Sequence, residues 1–150
     1  MSLDTAPREV YARFFLPLDR ALLESVADKA RITLHLHGYG ELYADLLMEA
    51  PCAIVCCRDR GSTLSLAEGK RIFRKAVMGG IDERNLAEVA PEQVLQQAQS
   101  AFDSLGSTPF IVTPGCAVPT DISPSLLNSL RAFAQRTRFD TTVSGTERDY

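Results

Sequence analysis

Four short apolar runs, Ile32–His37, Cys52–Cys57, Ala76–Gly79 and Phe110–Thr113, alternate with stretches of helical periodicity. That alternation constrains the fold more than any other feature of the chain. Neighbouring parallel strands need a long connection, and a helix supplies it, so the pattern describes successive βα units on a parallel sheet. Right-handed crossovers place the helices on one side of such a sheet. Nothing in the sequence covers the other side, which reads as the interior of a barrel. A closed (β/α)8 barrel takes about 250 residues, so 150 residues hold only part of one.

The helices have legible ends. In Glu92–Leu105, the residues Val94, Leu95, Ala98, Phe102 and Leu105 keep one apolar face, with Pro91 suited to the first turn and Gly106 to the stop. A last helix runs from Pro124 to Arg136, with Ser123 as its cap and Leu126, Leu127, Leu130, Phe133 and Ala134 as its buried stripe. Ser65 and Glu68 form a capping box before Gly69–Lys75. Glu41–Glu49 reads as a short helix. Arg8–Ala30 reads as a helix with Val10, Phe14, Leu22, Leu23 and Val26 inward and a kink or restart at Pro17. Residues 1–137 thus form one half-barrel unit, and residues 138–150, polar and without period, read as a flexible tail.

Composition narrows the function. Sixteen basic residues stand against nineteen acidic ones with no basic stripe, so nucleic acid is not an expected partner. No apolar run approaches the ~20 residues of a membrane span, and no secretory leader pattern is present. Cys52, Cys56 and Cys57 cluster on one apolar run while Cys116 stands apart, and no CxxC occurs. Reduced thiols in a cytoplasmic protein are the simplest expectation.

Three places can carry chemistry. His35 and His37 lie two residues apart at the end of a strand, so they share a face. Paired imidazoles there are either metal ligands or polar groups bonded to nearby loops. Cys116 follows Gly115 in the turn after the fourth strand, where it is either displayed at the same rim or a small buried thiol. Gly79, Gly80 and Asp82 follow the third strand, where the glycines permit close approach of a ligand or a tight turn, and Asp82 binds substrate or caps the next segment. Asp59 and Arg60 read as a loop ion pair, and Cys56 and Cys57 as core.

Taken in order, these places resemble the C-terminal half of the uroporphyrinogen decarboxylase superfamily, which includes cobamide-dependent methyltransferases. The resemblance runs from Val10 to Ala134. It is carried by Phe14–Pro17, the strand ending in His35–Gly38, Met78–Asp82, Pro91-Glu92-Gln93-Val94, and Thr113–Pro119 followed by Asp121. It implies an α/β fold, the last four strands of a (β/α)8 TIM barrel with outer helices. Decarboxylases of the family carry a histidine in the last glycine-rich turn, where this chain has Cys116. The methyltransferase branch binds zinc through a His-x-Cys pair and a distant cysteine. Here His35 and Cys116 match, and His37 stands where the first cysteine would be, giving a His₂Cys set with one open position.

The resemblance therefore implies, as its preferred branch, zinc-dependent methyl transfer from a methylated corrinoid (cobalamin-type) to a thiol, with Gly79, Gly80 and Asp82 at the substrate rim. The alternatives are decarboxylation of a tetrapyrrole carboxylate in porphyrin biosynthesis, and a non-catalytic half-barrel subunit or remnant. The substrate is a small molecule or a corrinoid protein. A half-barrel with a bare inner face, to which Ile32, Leu34, Ile54, Val77 and Ile111 are assigned, is expected to form a homodimer or to pair with an N-terminal half-barrel, and to be inactive without the missing half. One geometric demand comes with the zinc site. The first and fourth strands of a flat sheet stand roughly 14 Å apart, so the site forms only if the sheet curves.

Overall fold

The computed structural model describes residues 2–84, 86–106 and 108–137. Four strands form one sheet in the order β1-β2-β3-β4: β1 Thr33–Leu36, β2 Ile54–Cys57, β3 Ala76–Ile81 and β4 Ile111–Pro114. All three pairings are parallel. Every strand therefore ends at the same rim, and the loops after the strands share it. The architecture is α/β and is that of part of a (β/α)8 barrel. The tail assigned to residues 138–150 lies outside the described residues.

The helices are α1 Arg8–Val10, α2 Leu16–Val26, α3 Leu66–Phe73, α4 Pro91–Leu105 and α5 Pro124–Arg136. A π turn, Tyr11–Phe15, joins α1 to α2. It is the physical form of the restart expected at Pro17. Proline lacks an N–H, and its ring crowds the carbonyl four residues back. The wider turn places Pro17 in the first turn of α2, where no N–H is needed. The extra residue also rotates the faces. Tyr11 and Leu16 are buried and Leu23 packs beside them, whereas Val10, Phe14 and Leu22, read from the sequence as inward, are exposed.

Between β1 and β2 the chain makes only a 3₁₀ turn, Ala44–Leu47, in place of the short α-helix expected. Leu42, Tyr43 and Ala44 are all buried. Consecutive residues cannot share one face of an α-helix, so the tighter irregular path serves the core better. The capping box forms as expected: the Ser65 hydroxyl accepts from the Glu68 N–H, and the Glu68 carboxylate accepts from the Ser65 N–H. It starts α3 at Leu66, and Arg74 in the left-handed region ends it. In α5, Leu126 is buried and Leu130 and Phe133 pack beside it, while Leu127 is exposed.

The main core lies between the sheet and the helices. Leu34 and Leu36 of β1, Val55 and Cys57 of β2 and Val77 of β3 pack against Leu66 and Phe73 of α3 and Ala101 and Leu105 of α4. A smaller cluster joins Ile81 to Leu86, Val94, Ala98 and Leu126. This corrects the assignment of Ile32, Leu34 and Val77 to the bare face. The register pairs Leu34 with Val55 and Val55 with Val77, so all three occupy one row on the helix side. The alternate rows face away from the helices: Thr33, Ile54 and Ala76, then His35, Cys56, Met78 and Ile111.

The two faces should respond differently to truncation. Leu36→Ala, at a fully buried position, should cost about 2–5 kcal/mol. Thr33→Ala, at an exposed position on the opposite face, should change stability by no more than about 0.5 kcal/mol. Urea unfolding of both variants checks the orientation of the sheet.

Candidate metal centre

His35 is the third residue of β1, and alternation along the strand turns its imidazole to the face opposite the buried Leu34 and Leu36. His37 follows β1 on the same side. Their ring centroids are 5.7 Å apart, with the planes tilted by 51°. Cys116 enters from the far edge of the sheet, on the turn that follows β4, and its Sγ lies 3.4 Å from His37 Nδ1. One ligand atom from each of His35, His37 and Cys116 falls within 4.8 Å of the other two. These ligand atoms meet across four strands because the turn after β4 reaches back over the end of β2, where Gly115 packs on Arg58.

The position of Cys116 is set from below. Gly115 donates its N–H to the Ile81 carbonyl at 3.0 Å. A Cβ on Gly115 would lie 2.9 Å from the Arg58 Cα and 3.1 Å from Glu83 Oε2. Only glycine lets the turn settle this low. Beneath it, the buried Arg58 guanidinium pairs with the Glu83 carboxylate and lies 3.8 Å from the centre of the Tyr39 ring. Arg58 Nε is buried without a hydrogen-bond partner. Neither Arg58 nor Glu83 emerges from the sequence as a site residue. The available signal was a charged pair of positions at the ends of β2 and β3, at the same rim as the histidines.

Electrostatics favours a neutral imidazole at His35. Desolvation pushes the His35 imidazole below its ordinary value, and the neighbouring charges of His37 and Arg58 push the same way. A neutral imidazole is the form that binds a metal. Cys56, assigned to the core from the sequence, is buried, and on the face turned from the helices it also lines the concavity with His35 and Cys116. Burial drives its thiol up to about 11, so it stays protonated at neutral pH. Cys57, on the helix side, is driven up to about 12 by burial, and Cys52 is raised by the same cause.

Gly79 and Gly80, expected after the third strand at a substrate rim, lie within β3, and Asp82 follows it; all three are at the same end of the sheet as His35 and Cys116, since β3 runs parallel to its neighbours. The space beside them is occupied by protein. A Cβ on Gly79 would lie 2.6 Å from Asp59 Oδ1, and one on Gly80 would lie 2.8 Å from the Ala101 Cβ. The buried Asp59 carboxylate accepts from the Gly80 N–H at 2.8 Å and pairs with Arg60 at 3.4 Å. Asp82 accepts from the Arg84 N–H at 3.0 Å and holds the Arg84 guanidinium at 2.6 Å, which lowers its pKa. The loop ion pair between Asp59 and Arg60 is thus present.

A family model described as uroporphyrinogen decarboxylase (URO-D) matches residues 2–137. No curated protein matches the chain in sequence. Among solved structures, a methyltransferase from Methanosarcina mazei is similar with a TM-score of 0.74 at 15% identity, over 89% of this chain. The matched part is 39% of the methyltransferase chain, so this chain spans well under half of that protein's length. Among the described residues, no helix is long and apolar enough to cross a membrane.

The thiols should react unequally. Cys116 is partly exposed, whereas Cys52, Cys56 and Cys57 are buried and have raised pKa values. Brief treatment of the folded protein with iodoacetamide at pH 8 should modify Cys116 and spare the other three. Peptide mass spectrometry reads the sites. Equal labelling of Cys56 or Cys57 would contradict their burial.

Proposed function

The chain belongs to the uroporphyrinogen decarboxylase family, and from that premise we propose that it is the metal-binding half of a methyltransferase of this family, acting on a thiol. The observation that carries this reading is the convergence of His35, His37 and Cys116 within 4.8 Å of one another. Two imidazoles and one thiol are borderline-soft donors that suit zinc, and three protein ligands leave a fourth position for substrate, as in catalytic zinc sites. When bound there, zinc supplies a Lewis acid that lowers the pKa of a substrate thiol, so that it is a thiolate near neutral pH.

The chain's own residues prepare that site. Desolvation keeps His35 neutral and ready to donate its lone pair. The Gly115 turn presents Cys116, and the Arg58–Glu83 pair fixes the floor under that turn. The sulfur of Cys116 lies beside His37, so the two ligands form a preorganised edge of the site. The thiolate substrate would take its methyl group from a methylated corrinoid, presented as a small molecule or on a corrinoid protein. The open face of the sheet gives that donor access, and further barrel strands close around it in the working enzyme. Cys116 in the last glycine-rich turn, where family decarboxylases carry histidine, favours this branch over decarboxylation of a tetrapyrrole.

Protein purified without chelators and dialysed against zinc should hold about one equivalent, as expected for a single three-ligand site. Cys116→Ser and His37→Ala should each weaken retention by about 10-fold or more. Elemental analysis after dialysis measures both. Wild-type protein that takes up no zinc would overturn the metal reading.

A further inference from the structure

The two loops that carry the metal ligands are linked to each other through the side chain of Arg58. This residue follows β2 and is 4% exposed. Its guanidinium carbon lies 3.8 Å from the centre of the Tyr39 ring, and Tyr39 stands two residues beyond His37 on the loop after β1. The same guanidinium pairs with the carboxylate of Glu83, which follows β3. Glu83 in turn lies under the turn after β4: its Oε2 is 3.1 Å from where a Cβ on Gly115 would stand, and Cys116 is the next residue. Tyr39, Arg58, Glu83 and Gly115 thus form a strut that takes one residue from beyond the end of each strand.

Stability is a poor reason for such a strut. Among the described residues, Arg58 Nε and Glu83 Oε1 are buried without a hydrogen bond, so the ion pair alone offsets the loss of their hydration. Apolar side chains of similar volume often replace a buried ion pair with no loss of stability. What the charged pair supplies is direction. A planar guanidinium presents its face to an aromatic ring and its edge to a carboxylate at once, which no hydrocarbon does. Tyr39 is 49% exposed, so its ring is not there to fill the core. Gly115 is otherwise anchored by its N–H on the Ile81 carbonyl at 3.0 Å and by the Cys56 thiol, 3.9 Å from its own carbonyl.

We propose that Arg58 is a positioning residue of the metal centre: through Tyr39 it fixes the loop that carries His37, and through Glu83 the turn that carries Cys116. The thiol and the imidazoles thereby keep their separation before a metal arrives. Arg58 acts through these neighbours and is not itself a ligand. This inference rests on the metal reading above and adds what holds Cys116 within reach of the histidines. Partners that orient metal ligands from behind are typically worth about 10–100-fold in metal affinity. Without the strut, His35 and His37 remain neighbours on one strand and still hold a metal, whereas Cys116 is free to swing away from it.

The test uses cobalt(II) in place of zinc, because a thiolate ligand gives bound cobalt a sulfur-to-metal charge-transfer band in the near ultraviolet. The whole wild-type chain, titrated under anaerobic conditions, should show that band. Arg58→Met combined with Glu83→Gln removes both charges together, so neither is left buried alone. Urea unfolding should show this double variant folded, cobalt affinity should fall about 10-fold or more, and the band per bound cobalt should be lost. Tyr39→Ala, at an exposed position, should weaken affinity and the band in the same direction. Tyr39→Phe keeps the ring and should restore both. Wild-type affinity and band in Tyr39→Ala, or in the folded double variant, would sink the proposal and leave the metal reading intact; a role in stability alone predicts that result. Should the double variant not fold, the two Tyr39 variants decide. Absence of cobalt and zinc uptake by the wild-type chain overturns both readings.

Discussion

The return of the turn after β4 across the end of the sheet is the constraint on which everything else depends. In a flat four-stranded sheet, the ends of β1 and β4 would stand roughly 14 Å apart, too far for His35 and Cys116 to share an ion. In this chain their ligand atoms lie within 4.8 Å of each other and of His37. They converge because the Gly115 turn, bonded to the Ile81 carbonyl, rests on Arg58 at the end of β2, and the sheet beneath is held from the helix side. Leu36, Val55 and Val77 are fully buried beneath helices α3 and α4. The Gly79–Gly80 pair lets Leu66, Ala101 and the Asp59 carboxylate press close to β3.

The rim above that concave face is organised by buried charge. Arg58, Arg60 and Arg84 follow β2 and β3, and each meets a carboxylate: Glu83, Asp59 and Asp82 respectively. The first pair is the most deeply buried. Removal of one member of such a pair leaves the other charge without compensation, typically at a cost of about 3–5 kcal/mol. The Arg58–Glu83 pair in this set lies under the Gly115 turn and so braces the segment that carries Cys116.

The resemblance to a family and the physical reading of the residues converge on the same three ligands, yet they carry different weight. The family match places the chain among relatives whose barrel is longer than this chain, and the structural likeness at 15% identity speaks for the fold alone. The case for a metal comes from donor type and proximity. His37 in place of a cysteine alters the softness of the site but not the number of ligands, and histidine is as suitable a zinc ligand as thiolate.

By itself the sequence determined the order of strands and helices, the caps at Ser65 and Ser123, and the shared face of His35 and His37. These are local matters of periodicity, capping chemistry and the two-residue repeat of a strand, and they survive without knowledge of the tertiary structure. Only the tertiary structure decided which rows of the sheet meet the helices, and so moved Leu34 and Val77 to the core and Cys56 to the open face. Apolar runs buried on one side and half-buried on the other carry no alternation that reveals their orientation. It also decided the rotation of the N-terminal helix, through a π turn that no helical wheel anticipates. Last, it revealed Arg58 and Glu83 under the Cys116 turn, because they stand far apart in sequence and meet only where the ends of β2 and β3 come together.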